Sequence, residues 1–258
     1  DYNRFTVRMN NDITINKYIQ AAIDVNVKRS TSTNPNYDPM NACYLMPPVY
    51  AAMWEDGRIA DGKSGDNPYA ALNYGGTTKN HYNQVGGKAA VYITPVKGLK
   101  LSAIVSPIWN DWSGKHFRKR IEYFSADDPD NLIGAINGYA STYLSESRGK
   151  SFSLTKQFLA NYDNTFGDHS VSALVGYEDN SFETESIWAA RDNFALTEFP
   201  YLDRGNADYQ TNGGNASHTA YRSVFGRAMY NYQGRYLLQA NIRCDRSSRF
   251  DKKYRAGW

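Results

Sequence analysis

Long hydrophobic runs are missing from this chain of 258 residues, and that absence excludes the helical membrane proteins first. A membrane-spanning helix needs about 18 or more consecutive apolar residues. The longest candidate, Leu99 to Trp109, is far shorter and carries Lys100 and two serines. Cysteine is almost absent: Cys43 and Cys244 stand 201 positions apart, in no metal-ligand spacing, so no disulfide framework is indicated. Charge of one sign is lacking as well. The 29 basic and 26 acidic residues are mixed along the chain for a net +3, which leaves no acidic tail and no basic arm. One short basic run, Lys115 to Arg120, supplies few phosphate contacts, so no nucleic-acid partner is expected. The histidines, His81, His116, His169 and His218, match no zinc spacing. No Gly-rich phosphate loop and no nucleophile elbow occurs, and enzymatic activity finds no support. Asp1 is preceded by no initiator Met or apolar signal region, which says nothing about export.

What is abundant is aromatic. The chain has 21 Tyr, 11 Phe and 5 Trp, 14% in all, together with 20 glycines. Hydrophobic residues make up 41%, yet mean hydropathy is −0.65, so polar residues dilute them everywhere. Such a balance favours strands and turns over helices. A secreted carbohydrate-binding β-sandwich would share it.

The order of the residues narrows the choice. From Tyr2 to Asn10 one face carries Asn3, Phe5, Val7 and Met9, and the other Tyr2, Arg4, Thr6 and Arg8. From Tyr18 to Arg29 the apolar face is Ile19, Ala21, Ile23, Val25 and Val27, opposite Gln20, Ala22, Asp24, Asn26 and Lys28. From Tyr236 to Asp245 it is Tyr236, Leu238, Ala240, Ile242 and Cys244, opposite Gln239, Asn241, Arg243 and Asp245. A 3.6-residue period cannot produce these sets, whereas a pleated strand with one apolar face does. Further strands are expected at Gly87–Val96, Leu99–Ile108, Lys150–Asn161, Ser170–Tyr177 and Tyr221–Tyr232, with two weaker ones near 116–124 and 183–191. Several run about ten residues, the length that crosses a bilayer at a tilt. Tyr2, Tyr18, Trp109, Tyr177, Tyr232 and Tyr236 stand at their ends, where a membrane interface recruits aromatic rings.

Tight turns at 95–99, 165–168 and 232–235 alternate with long polar stretches at 30–82, 125–148 and 192–219. A compact soluble domain seldom holds three such loops, but a barrel with short periplasmic turns and long outer loops expects them. The expected fold class is all-β: an antiparallel transmembrane β-barrel segment of eight to ten strands with long extracellular loops. The inward face, with Arg4, Arg8, Asp24, Lys28, Arg243 and Asp245, is expected to line a polar lumen. A passive porin-like barrel and a soluble sugar-binding β-protein remain as alternatives.

Loop chemistry points to binding. The carboxylates between Asp56 and Asn67 could cradle a calcium ion, but the spacing fits no EF-hand, and Arg58 and Lys63 oppose the charge. Asp127, Asp128 and Asp130 cluster without a placed partner acid, so glycosidase chemistry is not indicated. No metal or cofactor is expected. Loop aromatics, Trp54, Tyr69, Tyr74 and Tyr139 foremost with Tyr50 and Tyr143, offer flat faces and hydroxyls for a sugar or peptide, or else pack the loops together.

At the C-terminal end the residues take on a recognisable form. The run from Phe225 to Leu238, FGRAMYNYQGRYLL, resembles the "fgRxnYnYxxRYll" signature of the SusC/RagA family of TonB-dependent outer-membrane transporters. Ile242 to Phe250 is similar to the family's "vRrDGSSrF", and His169 to Glu178 (HSVSALVGYE) to its "HxlxallGyE". Asn67-Pro68-Tyr69-Ala70 and Pro95 to Leu101 sit in the expected order. Arg246 departs from the pattern, standing where the family usually has Gly, which implies an altered turn. Residues 256–258 fall about where the family continues into an "FPS" segment. The resemblance implies that residues 1–258 are part of the barrel domain of a plugged barrel of about 22 strands. The plug domain, the TonB-contacting segment and the final strands have no counterpart here. It further implies outer-membrane localisation in a Gram-negative, Bacteroidetes-like cell and import of oligosaccharides or peptides. The implied partners are the TonB complex, a SusD-like surface lipoprotein and outer-membrane lipid.

Overall fold

The computed structural model describes residues 1–257 apart from the side chains of Asn41 and Cys43. The expectations for Cys43 and Trp258 therefore fall outside the described residues. The strands are β1 (Tyr2–Thr14), β2 (Ile19–Pro35), β3 (Gly76–Val96), β4 (Leu99–Arg118), β5 (Glu122–Phe124), β6 (Leu132–Ala135), β7 (Tyr143–Phe166), β8 (His169–Asp192), β9 (Gln210–Tyr232), β10 (Tyr236–Ser247) and β11 (Ala256–Gly257), with short helices α1 (Pro39–Leu45) and α2 (Pro68–Tyr74). β5 and β6 form a separate hairpin. The other nine strands make one antiparallel sheet in chain order, β1-β2-β3-β4-β7-β8-β9-β10-β11. The sheet is open, with β1 and β11 at its edges. No helix among the described residues is long and apolar enough to cross a membrane, which leaves crossing by strands untouched.

The main strands are longer than the expected ten residues, reaching 24 in β7 and β8. The alternation that marks a strand fades once both faces are polar, but the backbone ladder does not depend on side-chain polarity. The long connections shrink accordingly to residues 36–75, 119–142 and 193–209. Trp109 and Tyr177, expected at strand ends, lie mid-strand at the upper border of the apolar residues. Arg246 also differs from expectation: it is paired with Arg222 inside β10, so the chain turns only after Ser247.

Turn chemistry sets the hairpins. In the β1–β2 connection the Asn16 side chain accepts from the amides of Tyr18 at 2.8 Å and Ile19 at 3.0 Å. Gly98 closes β3 onto β4 at φ +85°, where a Cβ would stand 2.5 Å from the Asp163 carbonyl oxygen. Only glycine fits there.

Directly opposed residues of antiparallel strands point the same way, so the register traces each face across the sheet. Val27 pairs with Val85, then Trp109, Phe152, Glu183 and His218. The same hydrogen-bonded row thus leaves the apolar surface between β7 and β8. On β10 the topmost apolar residue of this face is Cys244, and its row runs back through Val224, Tyr177, Phe158, Ala103 and Val91 to Ala21. Ala21 lies six positions before Val27, after six strand-to-strand steps. The apolar band therefore slips one residue per strand. With a rise of about 3.4 Å per residue and about 4.8 Å between strands, that slip corresponds to a strand tilt of about 35°. Transmembrane barrels tilt by about 35–45°. From Ile19 to Val27, and again from Tyr236 to Cys244, the band is eight residue steps tall, about 22 Å when tilted, close to the roughly 25 Å of a barrel's apolar belt. Phe158, Val175, Leu238 and Ile242 on it are 56–71% exposed. The band is a level stripe drawn across slanted strands.

Candidate functional site

Opposite the apolar band lies the polar face. Arg4, Arg8, Asp24 and Lys28 share it, opposed respectively to Ser30, Asn26, Lys88 and Gln84. Lys88 Nζ meets Asp24 Oδ2 at 2.7 Å, and the Lys28 ammonium sits 5.1 Å over the Tyr82 ring. At the far end Arg243 donates to Asp245 at 2.8 Å and to Ser223 at 2.9 Å, and covers the Phe225 ring at 5.3 Å. Between these charged ends the face is bonded by neutral groups. Tyr82 donates to Asn110 Oδ1 at 2.7 Å, Gln84 to the same oxygen at 2.9 Å, and Asn110 to Ser151 Oγ at 3.0 Å. Asn180 donates to Thr155 at 2.7 Å. The neutral partners stand on neighbouring strands one row apart at most, the spacing at which pleated side chains meet.

Three rings on this face lie over directly opposed glycines: Trp112 over Gly149, Phe225 over Gly176 and Trp188 over Gly213. A Cβ at those glycines would come within 2.2, 2.3 and 2.8 Å of the respective ring. The rings occupy the space a side chain would need. Sequence reasoning missed Trp112 and Trp188. Extending the period-two alternation upward from Leu99 and from Val175 would have placed both opposite the apolar face.

The loops close over one end of the sheet. Asn67 caps α2 by accepting from the Ala70 amide at 2.9 Å while donating to the Ala52 and Ala60 carbonyls. Ala70 and Ala71 of α2 then pack with Ile121, Ile136 and Tyr139 in a buried cluster that joins loop 36–75 to loop 119–142. Tyr139 is only 7% exposed and donates to the Asn36 carbonyl at 3.1 Å. Burial raises its phenol pKa. Of the two roles open to the loop aromatics, ligand contact or loop packing, the ring of Tyr139 is engaged in the second, packed with Ala70, Ala71, Ile121 and Ile136. Trp54 is half-buried and donates to the Phe124 carbonyl at 2.9 Å, so it too ties the two loops together. Tyr69 and Tyr74 remain 43% and 44% exposed, edge-to-face at 6.4 Å.

Arg58 is the polar rivet of this junction. Its guanidinium donates to the Ser125 carbonyl at 2.5 Å and to Asp56 at 2.6 Å. The Arg58 backbone amide, then its guanidinium, hold the Asp56 carboxyl below the usual range. Asp66 accepts from Asn137 at 2.8 Å. Among the described residues no three metal-ligating side chains gather, in this acidic loop or elsewhere. A third loop, 193–209, docks through Phe194 against Phe117 and Leu144.

Two curated proteins of Formosa agariphila are similar along almost the whole chain. TonB-dependent receptor P3 is 25% identical over 96% of this chain and 25% of its own length. TonB-dependent receptor P39 is 26% identical over 96% of this chain and 23% of its own. The chain is similar to a barrel segment of a SusC/RagA-like TonB-dependent receptor. The chain spans about a quarter of the length of the curated relatives it matches. Solved structures agree on the fold of this barrel segment. The RagAB peptide importer in its closed-closed state superposes over 100% of this chain and 29% of its own at a TM-score of 0.77 and 20% identity. Its open-open state gives 0.73 at 19% identity, over the same shares. No protein-family model matches the segment.

Proposed function

We propose that the complete receptor imports an oligosaccharide or peptide across the outer membrane, energised by the TonB complex and working with a SusD-like surface lipoprotein. The observation that carries this reading is the two-sided sheet. A level apolar stripe about 22 Å tall covers one face, and a hydrogen-bonded polar surface covers the other, on strands tilted by about 35°. An energised importer needs such a wall around a water-bearing interior. In this reading residues 1–258 belong wholly to the barrel domain. Arg4, Arg8, Asp24, Lys28, Arg243 and Asp245 then face the lumen or its plug, and Tyr69 and Tyr74 stand at the outer mouth. The strand ends above the stripe and the loop cap rise outside the membrane, within reach of the lipoprotein. The relatives' shared description as TonB-dependent receptors supports the coupling.

The test is growth and uptake in the native host. Deleting the gene, or TonB, is expected to abolish uptake of the same oligomer, whereas small solutes that cross by diffusion continue to enter. Uptake that survives loss of TonB would show a passive pore instead.

A further inference from the structure

Charge is distributed unevenly between the two faces above the apolar band. From Ile108 to Gly114 in β4, Ser145 to Thr155 in β7, Asn180 to Ala190 in β8 and Thr211 to Tyr221 in β9, every side chain on the polar face is uncharged. The opposite face of these same stretches carries Asp111, Glu146, Arg148, Lys150, Glu183 and Glu185. On the polar face, charge resumes only beyond them, at Glu178 below and at Arg118 and Asp192 above. A wet interior tolerates charge freely, so solvent does not impose this neutrality. The small polar groups of this face are instead serine, threonine and asparagine, which donate and accept hydrogen bonds alike.

Set into it are large aromatic rings. Trp112 and Trp188 reach across to Gly149 and Gly213 on the neighbouring strands, where the missing Cβ makes room for each indole. Trp188 is 41% exposed and Phe182, on the same face, 36%. By register the two tryptophans stand two strands and one pleat repeat apart, roughly 12 Å between their backbones.

We propose that this face is a binding wall for a neutral oligosaccharide, with Trp112 and Trp188 as stacking platforms and Asn110, Thr184, Ser186 and Asn215 as hydroxyl partners. The inference rests on the reading of the polar face as a lumen lining and names the solute class for that lining. Sugar rings pair an apolar face with a fringe of hydroxyls, and a wall of flat rings among neutral donors and acceptors matches both. A charged peptide or a uronic-acid chain would find no counter-charge on the polar face of these stretches.

The test uses the complete receptor, purified in detergent and titrated by calorimetry with malto-, cello-, xylo- and laminarihexaose, hexagalacturonate, and hexapeptides rich in Lys or Asp. At least one neutral hexasaccharide is expected to bind at least tenfold more tightly than any charged hexamer. Trp188→Ala is expected to weaken it about tenfold, Trp188→Phe much less, and Ser186→Asp to weaken it as Trp188→Ala does. A heat-modifiability gel confirms that each variant folds. Preference for a charged hexamer, no binding of any neutral one, or neutral binding indifferent to Trp188→Ala overturns the proposal. TonB-dependent uptake accompanied by charged preference overturns the wall alone. TonB-independent uptake of a neutral hexasaccharide that requires Trp188 overturns the importer reading and supports the wall.

Discussion

Arginine placed at the centre of the apolar stripe should damage folding far more than arginine at its border. Ile23 lies midway between Ile19 and Val27 and is 42% exposed on the apolar face. Ile23→Arg sets a guanidinium at the membrane midplane, at a cost of about 2–4 kcal/mol, whereas Val27→Arg, at the border, costs about 0–1 kcal/mol. Asp24→Asn, one residue away on the other face, alters only a half-exposed pair with Lys88 at 2.7 Å. Such exposed pairs are worth about 0–1 kcal/mol. Folding of the complete receptor into lipid vesicles, followed by heat-modifiability on gels and by urea midpoint, should rank the losses Ile23→Arg, then Val27→Arg and Asp24→Asn together. Equal losses for Ile23→Arg and Asp24→Asn would refute the assignment of faces. Equal losses for the two arginine variants would refute the band edges and with them the slip of one residue per strand.

Three further outcomes are expected. Gly176→Ala puts a methyl 2.3 Å from the Phe225 ring and should destabilise the receptor by about 1–3 kcal/mol, and Phe225→Leu in the same molecule should recover part of that loss, as a double-mutant cycle of urea midpoints would show. Tyr139→Phe should cost about 0.5–1.5 kcal/mol through the lost bond to Asn36, and Tyr139→Ala about 3–5 kcal/mol locally, read as faster proteolysis of loops 36–75 and 119–142. Asp56 has a carboxyl pKa depressed in the folded loop, so its contribution is complete above the unfolded value of about 3.9 and is lost as pH falls through the lower folded value. Protection of the loop 36–75 junction from an acid-active protease should therefore fall below about pH 4, and Asp56→Asn should remove that dependence.

Strand periodicity, turn placement and the apolar stripe were all legible in the amino-acid order, because pleating forces alternate side chains to opposite faces whatever the rest of the molecule does. Ile19 to Val27 and Tyr236 to Cys244 display it without help. The upper halves of β7, β8 and β9 were not legible. There Ser145 to Ser151 or Thr211 to Ser217 are polar on both faces, and only pairing with a neighbouring strand makes them strands. The same limit hid Trp112 and Trp188, whose meaning depends on the glycines opposite, 37 and 25 positions away in the chain. Tyr139 shows the converse. Residue type left it open between ligand contact and loop packing, and only its contact with Ala70, Ala71 and Ile121 places it in the loop core. Alternation along one strand is a local property of the backbone and can be read from order alone. Register, tilt and burial arise between segments distant in sequence, so only the folded sheet could decide which rings face water and which face protein.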